Sequence, residues 1–251
     1  MKTCALAAAL LLGTASFTSV ADSGTSTLPL GFDWSGAYIG ANLGYAWSKS
    51  DFEDEEYNGI PPFPKVNWDV DDHGFLGGLQ AGYNWQRGNI VYGLEGELGY
   101  LDLDKKRFPP GVDPILNYVY DAAGTVDGDW YLGLAARLGY ASERTLYYGK
   151  VGAVYSRAKL GLKDTCSVTP PCGNTVANDS DRVDWGYQIG AGLEHALNDD
   201  WTLRAEYTYF DFGDTNISGV GIDGVGGGVP YKIDADLSVH ALKLGINYRF
   251  K

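Results

Sequence analysis

The sequence predicts an all-β chain: an eight-stranded antiparallel up-and-down transmembrane β-barrel with four long outer loops and three short periplasmic turns. Three observations predict it. Apolar and aromatic side chains recur at every second position in eight segments, while glycines and charges fill the alternate phase, so each strand has one greasy face and one polar face. The seven connections run long, short, long, short, long, short, long, the pattern of barrels whose turns are short on one side of a membrane and long on the other. Aromatic residues gather at both ends of the segments, where the two membrane interfaces would lie.

The chain begins with a segment unlike the rest. Lys2, an apolar run from Ala5 to Gly13 and the small residues of Ser19-Val20-Ala21 read as a Sec-type signal peptide over residues 1–21. The run is short for a membrane helix, which needs about 20 apolar residues. Cleavage after Ala21 removes Lys2 and no acid, taking the formal net charge from −13 to −14. It also removes Cys4. Residues 22–33 form a short polar periplasmic leader, and residues 34–251 the barrel.

Strand one is expected at about 34–48, with Ala37, Ile39, Ala41, Leu43, Tyr45 and Trp47 on one face and Gly40, Asn42 and Gly44 on the other. Strand two, about 74–86, turns Phe75, Leu79, Ala81, Tyr83 and Trp85 outward and Gln80, Gly82 and Asn84 inward. After the tight turn Arg87-Gly88-Asn89, strand three at about 90–101 carries Glu95 and Glu97 inside. Strand four, about 130–141, has Arg137 inside; strand five, about 145–156, has Lys150 inside. Strand six, about 185–197, holds Gln188 and Glu194; strand seven, about 201–210, holds Arg204 and Glu206. The last strand, about 239–250, puts Leu242, Leu244, Ile246, Tyr248 and Phe250 on one phase and Ala241, Lys243, Gly245, Asn247 and Arg249 on the other. Trp34, Tyr92, Tyr147, Trp201, Tyr248 and Phe250 then ring one interface, and Tyr45, Trp47, Tyr100, Trp130, Trp185 and Tyr209 the other. A soluble β-sandwich would leave this many outward aromatics as large apolar patches in water.

The runs WSGAYIGANLGYAWS, LQAGYNW, ARLGY, YQIGAGLEHAL, WTLRAEYTYFDFG and KLGINYRF resemble the small opacity-type outer-membrane β-barrel family. Within it, the chain is most similar to the abundant outer-membrane surface proteins of rhizobia and their relatives. The resemblance covers about Trp34 to Phe250 and is weakest in the long loops. It implies a Gram-negative cell outer membrane, with lipid and lipopolysaccharide as surroundings; the even strand number and the order of connections put both termini on the periplasmic side. It also implies assembly through a terminal aromatic read by the barrel-assembly machinery. Here that residue is Phe250, followed by Lys251 where such barrels usually end on the aromatic. Membership of a family does not by itself imply one activity.

Eight strands enclose only enough room for side chains. The expected lumen set is Glu95, Glu97, Glu194 and Glu206 against Arg137, Lys150, Arg204 and Lys243, a balanced network, because unpaired charges in so narrow a space would be costly. Inward glycines, among them Gly44, Gly82, Gly99, Gly139, Gly152, Gly190 and Gly245, leave space for the long charged side chains. Such a network is either a plug that specifies register or a small gated ion path. A wide diffusion pore needs 16 or more strands.

The connections carry the acidity. Residues 49–73 hold two bases against eight acids, and residues 211–236 one base against five. An acidic surface disfavours nucleic acid. It suits hard divalent cations, yet Asp51 to Glu56 lacks the glycine of a calcium loop, and no metal site is assigned. Cys166 and Cys172 flank SVTPP, and an exported chain with two cysteines reads as one disulfide, worth about 2 kcal/mol by chain entropy. His73 and His240 fall near the outer end and His195 near the periplasmic rim. No nucleophile, base or haem-ligand motif links them, so no catalytic residue and no cofactor is expected. The leading expectation is a structural surface protein supporting envelope integrity and presenting acidic loops. The alternatives are a small-conductance, porin-like ion channel and loops that bind haem, a host surface or phage.

Overall fold

The computed structural model describes residues 31–54, 67–107, 122–164, 178–182, 185–220 and 230–250. Those residues form the strands β1 (Gly36–Asp54), β2 (Asn67–Asp69), β3 (Asp72–Arg87), β4 (Ile90–Leu101), β5 (Asp104–Arg107), β6 (Ala122–Asp127), β7 (Trp130–Ser142), β8 (Thr145–Ser156), β9 (Lys159–Asp164), β10 (Asn178–Arg182), β11 (Trp185–Ala196), β12 (Trp201–Val220) and β13 (Pro230–Arg249). Eight of them close the barrel: β1, β3, β4, β7, β8, β11, β12 and β13, each antiparallel to the next, with β13 returning to β1. The closing register sets Leu43 opposite Leu244 and Tyr45 opposite Leu242.

Period two decides the faces. Leu43 is 75% exposed and Phe75 70%, whereas the inward Asn42 and Leu76 beside them are buried. The outward belt of Leu, Ile, Val, Tyr and Trp is the lipid-facing surface a membrane barrel requires. The short connections are tight turns. Gly88 sits at φ +61° in the first and Glu143 at φ +51° in the second, the left-handed region that hairpin turns demand and that glycine adopts without strain.

The wall does not stop at the long-loop aromatic ring. There β5, β6, β9 and β10 form a second sheet in the order β10-β9-β6-β5, continuing the line of β4, β7, β8 and β11. β2 adds to the prolonged end of β1. β12 and β13 run on together past a bulge between Asp211 and Asp214, where Gly213 has φ +66°, as far as the pair Val220 and Pro230. These extensions correct the expectation of long loops at residues 49–73, 102–129, 157–184 and 211–236: each contains paired strand. β1 likewise begins two residues later than expected and ends at Asp54, and β13 begins at Pro230. The physical reason is that above the aromatic ring neither face meets lipid. The sequence loses its period-two signal while backbone pairing continues.

Inside, three tiers stack along the barrel axis. Toward the short turns lie Trp34, Val91, Ala141, Leu146, Tyr148 and Ala196, with Phe32 packed against them. The middle is charged. Toward the long loops an apolar tier includes Leu76, Leu101, Tyr131, Val154, Phe210 and Leu237. Trp34 is fully buried, which corrects its assignment to the outer aromatic ring: it precedes β1 and folds into the mouth instead. The expected signal segment 1–21, residues 22–30 of the expected leader, Cys166 and Cys172 with their expected disulfide, and Lys251 lie outside the described residues.

Candidate functional site: the ionic tier of the lumen

Four carboxylates and four cations meet in the middle tier, each nearly solvent-free. They come from six strands, β4 and β12 giving two each, and reach a common level because antiparallel registers place their Cα atoms in neighbouring rows. Glu97 faces Gly133 and Gln80, Lys150 faces Arg137 and Gly190, and Glu206 faces Lys243 and Gly192.

The contacts chain into a ring. Arg204 donates to both Glu95 oxygens at 2.6 and 3.0 Å, and also pairs with Glu206. Lys150 Nζ stands 2.7 Å from Glu206 Oε1 and 3.4 Å from both Glu95 and Glu97. Lys243 Nζ donates to Glu97 at 2.8 and 2.9 Å and lies 3.1 Å from Glu206. Arg137 bridges Glu95 at 3.3 Å and Glu194 at 3.0 Å. Neutral amides complete the circuit: Asn247 donates to Glu194, Gln80 donates to Asn247, and Asn42 donates to Gln80 and to Glu97. Every barrel strand contributes at least one member: Asn42 from β1, Gln80 from β3, Glu95 from β4, Arg137 from β7, Lys150 from β8, Glu194 from β11, Arg204 from β12 and Lys243 from β13.

Three inward tyrosines support the ring by one repeated device. Tyr38, Tyr131 and Tyr148 are the register partners of Gly82, Gly99 and Gly192. Each ring lies over its glycine so closely that an added Cβ would come within 2.4–2.8 Å of it. Laid flat in this way, each phenol donates a 2.7 Å hydrogen bond to a carboxylate: Tyr38 to Glu95, Tyr131 to Glu97 and Tyr148 to Glu206. The Arg137 guanidinium stacks 4.0 Å from the Tyr148 ring centre, a cation–π contact strengthened by the dry surroundings. These tyrosines, with Thr202 and Thr208, which donate to Glu194 and Glu206, are not among the residues singled out from the sequence. The signal was present, since each falls on the inward phase next to an outward aromatic or apolar residue.

This arrangement satisfies charge without leaving a free nucleophile or an accessible proton acceptor. Buried ion pairs repay their desolvation only when the remaining hydrogen bonds are also made; the amides and phenols make most of them, while Arg137 Nε and Asn42 Oδ1 stay buried without a partner. Arg249, an inward base outside the eight, is spent elsewhere: Nη2 donates to the backbone oxygens of Asp33 at 2.5 Å and Ser35 at 3.0 Å.

The histidines do not join the tier. His73 and His240 stand on the outside of the wall, on either side of Trp47 in register. His240 stacks on Trp47 at 5.5 Å and 9°, with Nδ1 2.7 Å from the Tyr207 hydroxyl. His195 lies near the short turns, with Nδ1 3.0 Å from Thr145. Among the described residues no group of three or more His, Cys, Asp or Glu is placed to hold a metal. Beyond the aromatic ring, partial desolvation, a hydrogen bond that the protonated Asp51 carboxyl donates to Asp69, and the nearby charges of Asp69 and Asp71 hold the Asp51 carboxyl above its ordinary pKa.

Comparison with known proteins agrees with this architecture. The family described as outer membrane protein beta-barrel domain matches residues 4–250. The chain is 33% identical over 228 residues to a 31 kDa outer-membrane immunogenic protein of Brucella melitensis, covering 87% of this chain and 85% of the relative. It is 29% identical over 179 residues to a 22 kDa outer membrane protein of Rhizobium leguminosarum, covering 71% and 64%. Among solved structures, the outer membrane protease OmpT from Escherichia coli superposes with a TM-score of 0.52 at 9% identity, covering 90% of this chain and all of that one. That likeness is one of fold alone.

Proposed function

The chain belongs to the outer membrane protein beta-barrel family, and from that premise we propose that it is a closed structural barrel of the outer membrane, supporting the envelope and presenting its acidic extensions to the exterior. The observation that carries this reading is the filled lumen: two apolar tiers enclose an ionic tier in which every charge has a partner. Transmembrane flow needs a continuous wet path, and side chains occupy the axis at all three levels. Catalysis needs acid–base or nucleophilic groups open to a substrate, and here the titratable groups are turned on one another.

In this reading the short turns and both termini face the periplasm, and the extended wall stands outside the cell. Short turns at one end and long segments at the other support that orientation. Phe250, whose N–H bonds to Ala37 at the closing seam, is the residue offered to the assembly machinery.

Planar bilayers test the central point. Purified refolded protein is expected to leave the membrane silent, and discrete, reproducible conductance steps would favour the ion-channel alternative. A deletion strain is expected to lose detergent resistance or shed vesicles, with solute uptake unchanged. Orientation is checked by labelling intact cells with an impermeant thiol reagent: Asp71→Cys is expected to react and Arg87→Cys to remain unlabelled. If loop-truncated protein keeps the envelope sound yet loses a specific haem, host or phage signal, the binding alternative takes its place.

A further inference from the structure

The short-turn mouth is closed in a way the rest of the barrel is not. Its stopper is Phe32–Ser35, a stretch that precedes β1 and belongs to no strand. Within it Trp34 is fully buried, in one apolar cluster with Ala141, Leu146 and Ala196. Phe32 meets Trp34 edge-on, ring centres 4.9 Å apart.

The fastening consists of a few contacts to strand ends. Trp34 N–H donates to Gln86 Oε1 at 2.6 Å, and Gln86 N–H donates to Ser35 Oγ at 3.2 Å. Phe32 N–H donates to the Glu143 carbonyl at 3.1 Å. Arg249 makes its two bonds to Asp33 and Ser35 and lays its guanidinium 4.5 Å from the Phe32 ring centre; Arg144 covers the same ring at 5.4 Å. Because Arg249 ends the last strand and Asp33 precedes the first, this clasp spans the seam where the barrel closes. Beside it, between Phe32 and the first two turns, a cleft of about 320 Å³ lined by Gln86, Asn89 and Glu143 leaves one flank open to solvent.

We propose that Phe32–Ser35 is a hinged lid, able to undock while the barrel stays folded, and that its docking keeps water from the ionic tier. The ionic tier is made of side chains carried by the wall strands, and the long-loop tier mostly of residues on paired strands, with Val70, Leu103 and Ala158 on short links between them, so both leave only if sheet pairing opens. The lid is an appended segment, so releasing it breaks a handful of bonds and no sheet pairing. Local openings of this kind have free energies well below that of global unfolding. Trp34 shares its cluster with Tyr148, on which Arg137 stacks, and Arg137 pairs with Glu194; these are the members of the ring that undocking would wet first. This inference stands apart from the structural role: bilayer silence tests that role, and the experiment below reads only the lid.

The test uses full-length refolded protein with Cys4→Ser, Cys166→Ser and Cys172→Ser, carrying one reporter thiol, Ala196→Cys, under the lid. A second reporter, Val154→Cys, sits in the opposite apolar tier. Labelling by a small thiosulfonate is timed against the global unfolding rate, read from the heat-dependent gel shift of the folded barrel. The lid predicts that Ala196→Cys reacts faster than the protein unfolds, that Trp34→Ala or Arg249→Gln speeds it by about tenfold or more, and that Val154→Cys is unmoved by either. Arg249→Lys, which keeps the charge and N–H donors but loses the planar guanidinium over Phe32, is expected to fall between. Reaction of Ala196→Cys only at the unfolding rate, or equal acceleration of both reporters, would overturn the proposal and leave Phe32–Ser35 as a fixed part of the fold. If the Trp34→Ala protein does not refold, Arg249→Gln and Arg249→Lys carry the same comparison.

Discussion

The two mouths of this barrel are both closed, by different means. At the long-loop end Leu101, Tyr131, Phe210 and Leu237 fill the axis from the wall strands themselves. At the short-turn end Trp34 fills it from a segment outside the sheet. A filling carried by the wall is as permanent as the wall. A filling carried by an appendage is as permanent as its own few bonds. Between them, the ionic tier ties all eight strands together and belongs wholly to the wall.

The largest expected effect breaks that middle tier. Arg204→Ala leaves Glu95 and Glu206 buried with part of their charge uncompensated, which costs about 3–5 kcal/mol when one partner of a buried pair is removed. Urea unfolding in phospholipid vesicles measures it. A loss of less than about 1 kcal/mol, typical of exposed pairs, would mean that water already reaches the tier.

The next two substitutions set mouth against mouth. Phe210→Ala opens a hole that wall strands cannot close, at about 3–5 kcal/mol. Trp34→Ala removes a larger side chain, yet it is expected to cost only about 2 kcal/mol, because the cost of a truncation depends on how well the site can relax and a lid can shift where a strand cannot. Equal losses in the same unfolding experiment would erase the distinction between the ends.

Much of this was legible in the sequence because lipid enforces period two. Glu95, Glu97, Arg137, Lys150, Glu194, Arg204, Glu206 and Lys243 stand out as charges on the phase opposite Leu, Ile and Val. Tyr38, Tyr131 and Tyr148 are on that same phase, but a tyrosine in a barrel strand reads equally well as a membrane-interface residue. Only the glycine directly across the register reveals which way it lies, and register is not visible in one strand alone. Trp34 misleads for a related reason: an aromatic at a strand's start mimics the interfacial ring, and nothing local tells a chain that it will fold back over the mouth. The extensions of β12 and β13 were hidden because Asp211 to Asp236 lies beyond the lipid belt, where alternation has no physical cause. Arg249 was visible as an inward base but not as a clasp, since its acceptors are backbone carbonyls more than two hundred residues earlier.

The smallest effect refines the comparison at a single turn. Glu143 holds φ +51°, a left-handed conformation that costs a side-chain-bearing residue about 1–2 kcal/mol. Its carbonyl is the acceptor for Phe32 of the lid. Glu143→Gly removes the steric penalty, gives back part of the gain through the freer unfolded chain, and keeps the carbonyl where it is. A net gain of about 0.5–1 kcal/mol in unfolding free energy is expected. Because relief of the turn stabilises the wall and leaves the lid's own bonds untouched, labelling of Ala196→Cys should keep its rate while global unfolding slows. The ratio of the two rates therefore rises. Were both to slow together, the turn and the lid would be one cooperative unit, and the short-turn mouth would be closed as firmly as the other.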